Sequence, residues 1–176
     1  QMISYEAALG LSLAAVLLSS GTLSTAGIVQ GQDSFVDWNV ISTGIVPFVI
    51  FLIAATAELN RPPFDLVEAE QELVGGFTTE YSGIRVALFF LAEFMGVVTM
   101  SAVMVTLFFG GPQGLFDIPL IPGAIEGTLW FFVKLMGFFY LNVCLRATLP
   151  RLRSDQLMDC GWKILIPIAL GWFLIL

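Results

Sequence analysis

The stretches "VPFVIFLIAATA" (residues 46–57) and "GVVTMSAVMVTLFF" (residues 96–109) belong to apolar runs that approach 20 residues or more, and further runs of this kind occur along the chain. A run of about 20 apolar residues is what a hydrocarbon core roughly 30 Å thick demands of a helix. Lipid offers backbone N–H and C=O groups no partners, so only helices or a closed barrel can span it. Barrel strands alternate apolar and polar residues, and "FVIFLIAA" does not. The expected fold is an all-α integral membrane protein. Its five helices are placed at about 2–23, 40–59, 84–109, 127–149 and 162–176, in a single membrane domain spanning 1–176.

Lys and Arg set the expected orientation. The connections at 24–39 and 110–126 contain neither residue. Arg61 and Arg85 flank the connection at 60–83, and Arg146, Arg151, Arg153 and Lys163 cluster around 146–163. By the positive-inside rule the last two connections are cytoplasmic and the first two face outward. The outward pair is rich in Gly, Pro and Ser and reads as connector. Trp38 and Trp130 read as interfacial anchors.

Only 12 % of residues are charged, against the roughly 25 % usual in soluble domains. The formal net charge of −7 and the lack of a basic, aromatic-laced patch exclude a nucleic-acid-binding role. The chain has no histidine and only Cys144 and Cys160, which lack CxxC spacing, so no metal site built from this chain is expected. The opening "QMISYEAALG" shows no initiator Met and no basic segment ahead of a short apolar stretch, so no signal peptide is expected. From Lys163 to Leu176 a helix covers only about 20 Å. The chain is therefore expected to be part of a longer polytopic subunit.

Against this apolar background four charges need explaining. Glu6 lies one turn inside the first segment, Glu58 ends the second, Glu93 lies about nine residues into the third, and Lys134 interrupts the fourth. Ionisable groups at membrane depth are costly unless paired or hydrated, and by default mark function. Taking a carboxyl out of water favours its protonated form, a property that suits groups passing protons near neutral pH. Glu6 and Lys134 can also be read as snorkelling to an interface; Glu93 is too deep for that.

The connection "AELNRPPFDLVEAEQELVGGFTTEYSG" gathers Glu58, Asp65, Glu68, Glu70, Glu72 and Glu80. Asn60 before the Pro pair and Gly75-Gly76 at the far end frame a short helix. On it Asp65, Glu68 and Glu72 share a face while Glu70 points elsewhere. Phe64, Leu66, Val67, Leu73 and Val74 indicate a packed segment. With "RATLPRLRSDQLM" on the same expected side, ion pairs between acids and arginines become possible, as does recognition of a polar head group.

The long acidic connection, together with "ISYE", "RVALFFLAEF", "TLFFGG" and "LPRLRSDQLM…GWK" in the same order, resembles a membrane-subunit family of proton-pumping NADH:quinone oxidoreductase, respiratory complex I, whose mitochondrial member is called subunit 1. The resemblance covers nearly the whole chain and corresponds to the C-terminal part of such a subunit. It implies a multi-pass protein of the cell inner or plasma membrane that joins the hydrophilic and membrane subunits of the complex. It further implies that the subunit lines a chamber for quinone, the substrate, and begins an acidic path toward antiporter-like subunits. NADH, FMN and the iron–sulfur clusters would belong to partner subunits, and this chain would hold no redox centre. Carried onto matching positions, Glu6, Glu58, Asp65, Glu68, Glu70, Glu72, Glu80 and Glu93 become coupling-path acids. Arg61, Phe64, Phe77, Tyr81, Arg85, Arg146, Arg151 and Arg153 become chamber residues or ion-pair partners. Relatives often carry histidine where Thr78 stands, and an aromatic where Ser154 stands, so no role of that histidine transfers.

Three other readings fit the same helices. One is the homologous subunit of a membrane-bound hydrogenase or ferredoxin-fed complex. Another is a cation/proton antiporter, which requires Glu93 and Lys134 to face one another. The third is a structural membrane anchor, for which the acids would be dispensable.

Overall fold

The computed structural model of the chain describes residues 2–65, 74–114 and 123–176. Among them no strand occurs, and the regular elements are helices. The longer ones are α1 (Met2–Ser20), α4 (Ile45–Glu58), α5 (Ile84–Phe108), α6 (Gly123–Thr148) and α7 (Ser154–Ile175), with short α2 (Thr25–Gln30) and α3 (Asn39–Ser42) between α1 and α4. α1, α5, α6 and α7 are long and apolar enough to cross a membrane. At 1.5 Å per residue the 25 residues of α5 reach about 37 Å. The chain is an all-α membrane protein.

α1 packs along α4 and α7 through small side chains. Ser4, Ala8, Ser12 and Ala15 on α1 are buried, as are Ala54, Ala55 and Ala57 on α4. Apolar tails drive no helix association in lipid, so close approach of small residues supplies the packing energy. The largest core joins Val16, Ile28, Phe51, Ala55, Met104, Leu107 and Phe108 from α1, α2, α4 and the second half of α5. Tyr5, Ala54, Ala57, Phe64 and Leu157 form a second cluster, and Ala8, Ile50, Leu165 and Ala169 a third. The first half of α5 stands largely apart from these cores, because its buried residues begin at Val97.

Three local features differ from expectation. The helix expected at 40–59 is broken: α3 ends at Ser42 and α4 starts at Ile45, with Gly44 at φ 98° between them. That left-handed value suits glycine. The break leaves the carbonyl of Thr43 to accept a hydrogen bond from Trp172 Nε1 at 2.9 Å. The last helix does not start near 162. It begins at Ser154 and continues through a π-helical stretch, Cys160–Leu165, for 22 residues, which is long enough to cross. Gly161 lets that stretch lie on α1, since a Cβ there would come within 2.8 Å of Ser4 Oγ.

The third difference is the connection at 24–39, which is folded. Gln32, 1 % exposed, donates to the carbonyls of Ile28 and Leu107 and accepts from the backbone N–H groups of Asn39 and Gly110. Asn39 Nδ2 donates to the Leu107 carbonyl at 2.7 Å. Trp38 is buried within the protein, with ring contacts to Phe35 and Phe109. The final carbonyls of a helix have no partners within it. Here a buried glutamine and asparagine bind those at the end of α5. The expected short helix within 60–83 and the acids Glu68, Glu70 and Glu72 lie outside the described residues.

Candidate functional site

The site begins where α4 stops. Asn60 adopts a positive φ of 48°, a conformation that asparagine tolerates better than most residues. Its N–H donates to the Ala57 carbonyl at 3.1 Å, and the Arg61 N–H reaches back to Thr56 at 3.2 Å. This pairing is the Schellman pattern of a helix end. It turns the chain so that the Arg61 side chain points at α5.

Arg61 Nη2 meets Glu93 Oε1 at 2.9 Å, with the arginine side chain 6 % and the carboxylate 22 % exposed. The guanidinium also lies 5.2 Å from the Phe94 ring centroid. A planar guanidinium serves a carboxylate and an aromatic face together, which a lysine ammonium does less well. Beside this pair a cleft of about 250 Å³ opens between α5 and α6. Its walls are Phe94, Val97, Phe139 and Val143, with Arg61, Asn142 and Arg146 supplying the polar groups. Apolar walls with a few converging polar groups suit a small ligand that is largely apolar and carries a polar head.

The turn that carries Arg61 is fastened to the start of α7. Leu152 N–H donates to the Pro63 carbonyl at 2.8 Å, and Arg151 Nη2 reaches Asp65 Oδ2 at 3.2 Å. The Asp65 side chain is 2 % exposed. Phe64 packs into the core against Tyr5, Ala54, Ala57 and Leu157, away from the cleft. At this same end of α4, Glu58, Glu6 and the Tyr5 hydroxyl lie within electrostatic reach of one another. Glu58 Oε2 is shut off from solvent without a hydrogen-bond partner among the described residues, while Glu6 is exposed.

Other residues singled out from sequence sit elsewhere. Glu80, Arg85 and Arg153 are exposed. Tyr81, whose ring is 5.3 Å from that of Phe89, shares a shallow groove with Arg85, Leu88 and Ala92. The side chain of Phe77 lies outside the described residues. Phe94, Phe139, Asn142 and Tyr5 were not anticipated. Phe94 adjoins Glu93 in sequence, but only the crossing of α5 and α6 shows that Phe139 and Asn142 face it.

The antiporter geometry is not what the chain adopts. Lys134 points to the opposite end of α5 from Glu93 and donates to the carbonyls of Phe109, Gly111 and Gln113 at 2.6, 3.2 and 2.5 Å. Sixteen helical residues separate Glu93 from Phe109, or about 24 Å along the axis.

A sequence model described as NADH dehydrogenase matches residues 1–176, the whole chain. The chain belongs to the NADH dehydrogenase family. Within it, the NADH-quinone oxidoreductase H subunit of Frankia casuarinae is 52 % identical over 178 residues, covering 99 % of this chain and 38 % of that protein. The corresponding NADH-quinone oxidoreductase protein of Frankia alni is 51 % identical over 180 residues, covering 100 % of this chain and 39 % of that protein. The chain thus spans about two-fifths of the length of these curated relatives. Among the described residues, the Arg61–Glu93 pair sets a carboxylate and a buried cation beside an apolar cleft.

Proposed function

We propose that this chain acts as part of the corresponding membrane subunit of a proton-translocating NADH:quinone oxidoreductase, coupling quinone reduction to proton movement without a redox centre of its own. The observation that carries the proposal is the Arg61–Glu93 ion pair at the wall of an apolar cleft that Arg146 also lines. A quinone has an apolar ring and tail and two carbonyl oxygens that accept hydrogen bonds, so it matches such walls and guanidinium donors. NADH, FMN and the iron–sulfur clusters would sit on partner subunits. The acidic connection 60–83 and the basic segment 146–163 would share the cytoplasmic face of an inner or plasma membrane.

The coupling step follows from electrostatics. Reduction places negative charge near Arg61, which then competes with Glu93 for the guanidinium. Two unit charges about 4 Å apart interact by roughly 4 kcal/mol at an effective dielectric of 20. At 1.36 kcal/mol per decade that alters proton affinity about a thousandfold. Such a change moves a proton between neighbouring carboxyls, with Glu93, Asp65, Glu58 and Glu6 as the described members of the path. Glu68, Glu70 and Glu72, together with the exposed Glu80, complete it in the reading from family resemblance.

The test uses the assembled complex in membranes. Arg146→Ala is expected to raise the KM for quinone about tenfold or more, the scale of one charge-assisted hydrogen bond. NADH oxidation by a hydrophilic artificial acceptor should not change. Glu93→Gln should lower the protons moved per NADH oxidised. Wild-type quinone kinetics together with wild-type pumping in these variants would remove the proposal.

A further inference from the structure

At the far end of α5 from the cleft, Lys134 Nζ donates all three of its hydrogens, to the carbonyls of Phe109, Gly111 and Gln113. The same ammonium lies 4.3 Å from the centroid of the Trp38 ring, which is 4 % exposed. Three carbonyl acceptors and one aromatic face make a cradle matched to a primary ammonium. The negative end of the α5 dipole adds to it. Gly110 and Gly111, at φ 67° and 54°, curl the backbone after α5 so that these carbonyls turn toward one point. Gln32 and Asn39 bind the preceding carbonyls of Thr106 and Leu107, which leaves the cradle's own three to Lys134.

We infer that the carbonyls of Phe109, Gly111 and Gln113 with the Trp38 ring form a primary-ammonium site, filled from within the chain by Lys134, that latches α6 to the end of α5. The latch joins the end of α5 to the middle of α6: Lys134 is twelve residues, about 18 Å, from Arg146 along α6. The latch therefore fixes α6 to the end of α5 remote from the cleft. The inference stands on this geometry alone and does not depend on what the cleft binds.

Chemical rescue tests it in the assembled, full-length complex. Lys134→Ala removes a propylamine's worth of side chain, so propylammonium is the matching probe. The variant is expected to lose heat resistance, its inactivation half-life falling about tenfold, as loss of charge-assisted hydrogen bonds predicts. Millimolar propylammonium should restore most of that loss. Propanol, which lacks the charge, and tetramethylammonium, which lacks N–H donors, should not. Wild-type heat resistance in Lys134→Ala, or equal rescue by tetramethylammonium, or none by propylammonium, overturns the inference. Should Lys134→Ala fail to assemble, Lys134→Arg and Lys134→Gln decide. Assembly of the arginine variant alone supports a cation site, and equal behaviour of the two overturns it.

Discussion

Arg61 and Glu93 face each other at 2.9 Å, the first held by the turn that ends α4 and the second by the third turn of α5. Arg61 is 5 % exposed, so its charge depends on the carboxylate and on the Phe94 face for compensation. Removing one member of a buried pair costs several kcal/mol, whereas replacing both with apolar groups is often close to neutral. Glu93→Leu is therefore expected to lower stability by about 2–4 kcal/mol, at the lower end because Glu93 keeps some solvent contact. The double variant Arg61→Met/Glu93→Leu should lose less than the single. A thermal or denaturant series on the purified complex makes the comparison, and additive losses would show that the pair is not coupled.

Asp65 and Arg151 form the second cross-connection. Asp65 is 1 % exposed, while the Arg151 side chain is 36 % exposed, so the arginine reaches in from the surface to a carboxylate that cannot reach out. The asymmetry gives an order of effects. Asp65→Ala, which also leaves a void at a buried site, should cost about 2–3 kcal/mol; Arg151→Lys, which keeps a cation but loses the fork, about 1 kcal/mol. Limited proteolysis of the 60–65 turn should follow the same order. A larger effect from Arg151→Lys than from Asp65→Ala would mean that the arginine serves some other contact.

Much of this was legible in the sequence because lipid permits so few solutions. Apolar runs marked α1, α5 and α6 as helices long enough to span, and rare charges within them marked Glu93 and Lys134. What the sequence withheld was pairing across helices. Nothing in the spacing of Arg61 and Glu93 says that they touch, since that depends on the turn at Asn60 and on how α5 leans against α4. The connection at 24–39 misled for a physical reason: Gly, Ser, Gln and Asn mark turns, but Gln32 and Asn39 are also the side chains that can bind the free carbonyls of a helix end. The start of the last helix was misplaced because "RLRSDQLMDCG" reads as a polar loop, although its last eight residues, Ser154 to Gly161, belong to α7.

Gly44 offers a sharp structural test. Its φ of 98° disfavours any Cβ, and a Cβ built there would lie 2.5 Å from the Trp172 ring. Gly44→Ala is expected to cost about 2–4 kcal/mol, from backbone strain together with displacement of the indole and loss of its hydrogen bond to Thr43. The fluorescence of Trp172, isolated by replacing the other tryptophans with phenylalanine, should shift as the ring leaves its site. An unshifted spectrum with unchanged stability would show that α7 does not depend on the break between α3 and α4.

Asn60 decides whether the candidate site is assembled at all. It is the residue that stops α4 and aims Arg61 at Glu93, and it does so in a left-handed conformation at φ 48°. Glycine adopts that conformation freely, asparagine at small cost, and a β-branched residue only with strain of about 1–2 kcal/mol. Asn60→Gly should therefore keep both stability and whatever activity the Arg61–Glu93 pair supports. Asn60→Val should lower stability by about 1–2 kcal/mol and lower activity further than that loss explains, because the turn can relax by withdrawing Arg61 from Glu93. The series separates geometry from chemistry: neither variant touches a charged group, so an activity difference between them reports on where the guanidinium is held. If valine and glycine at this position gave equal activity, the aim of Arg61 would have to come from the Pro63–Leu152 hydrogen bond and the Asp65–Arg151 pair downstream.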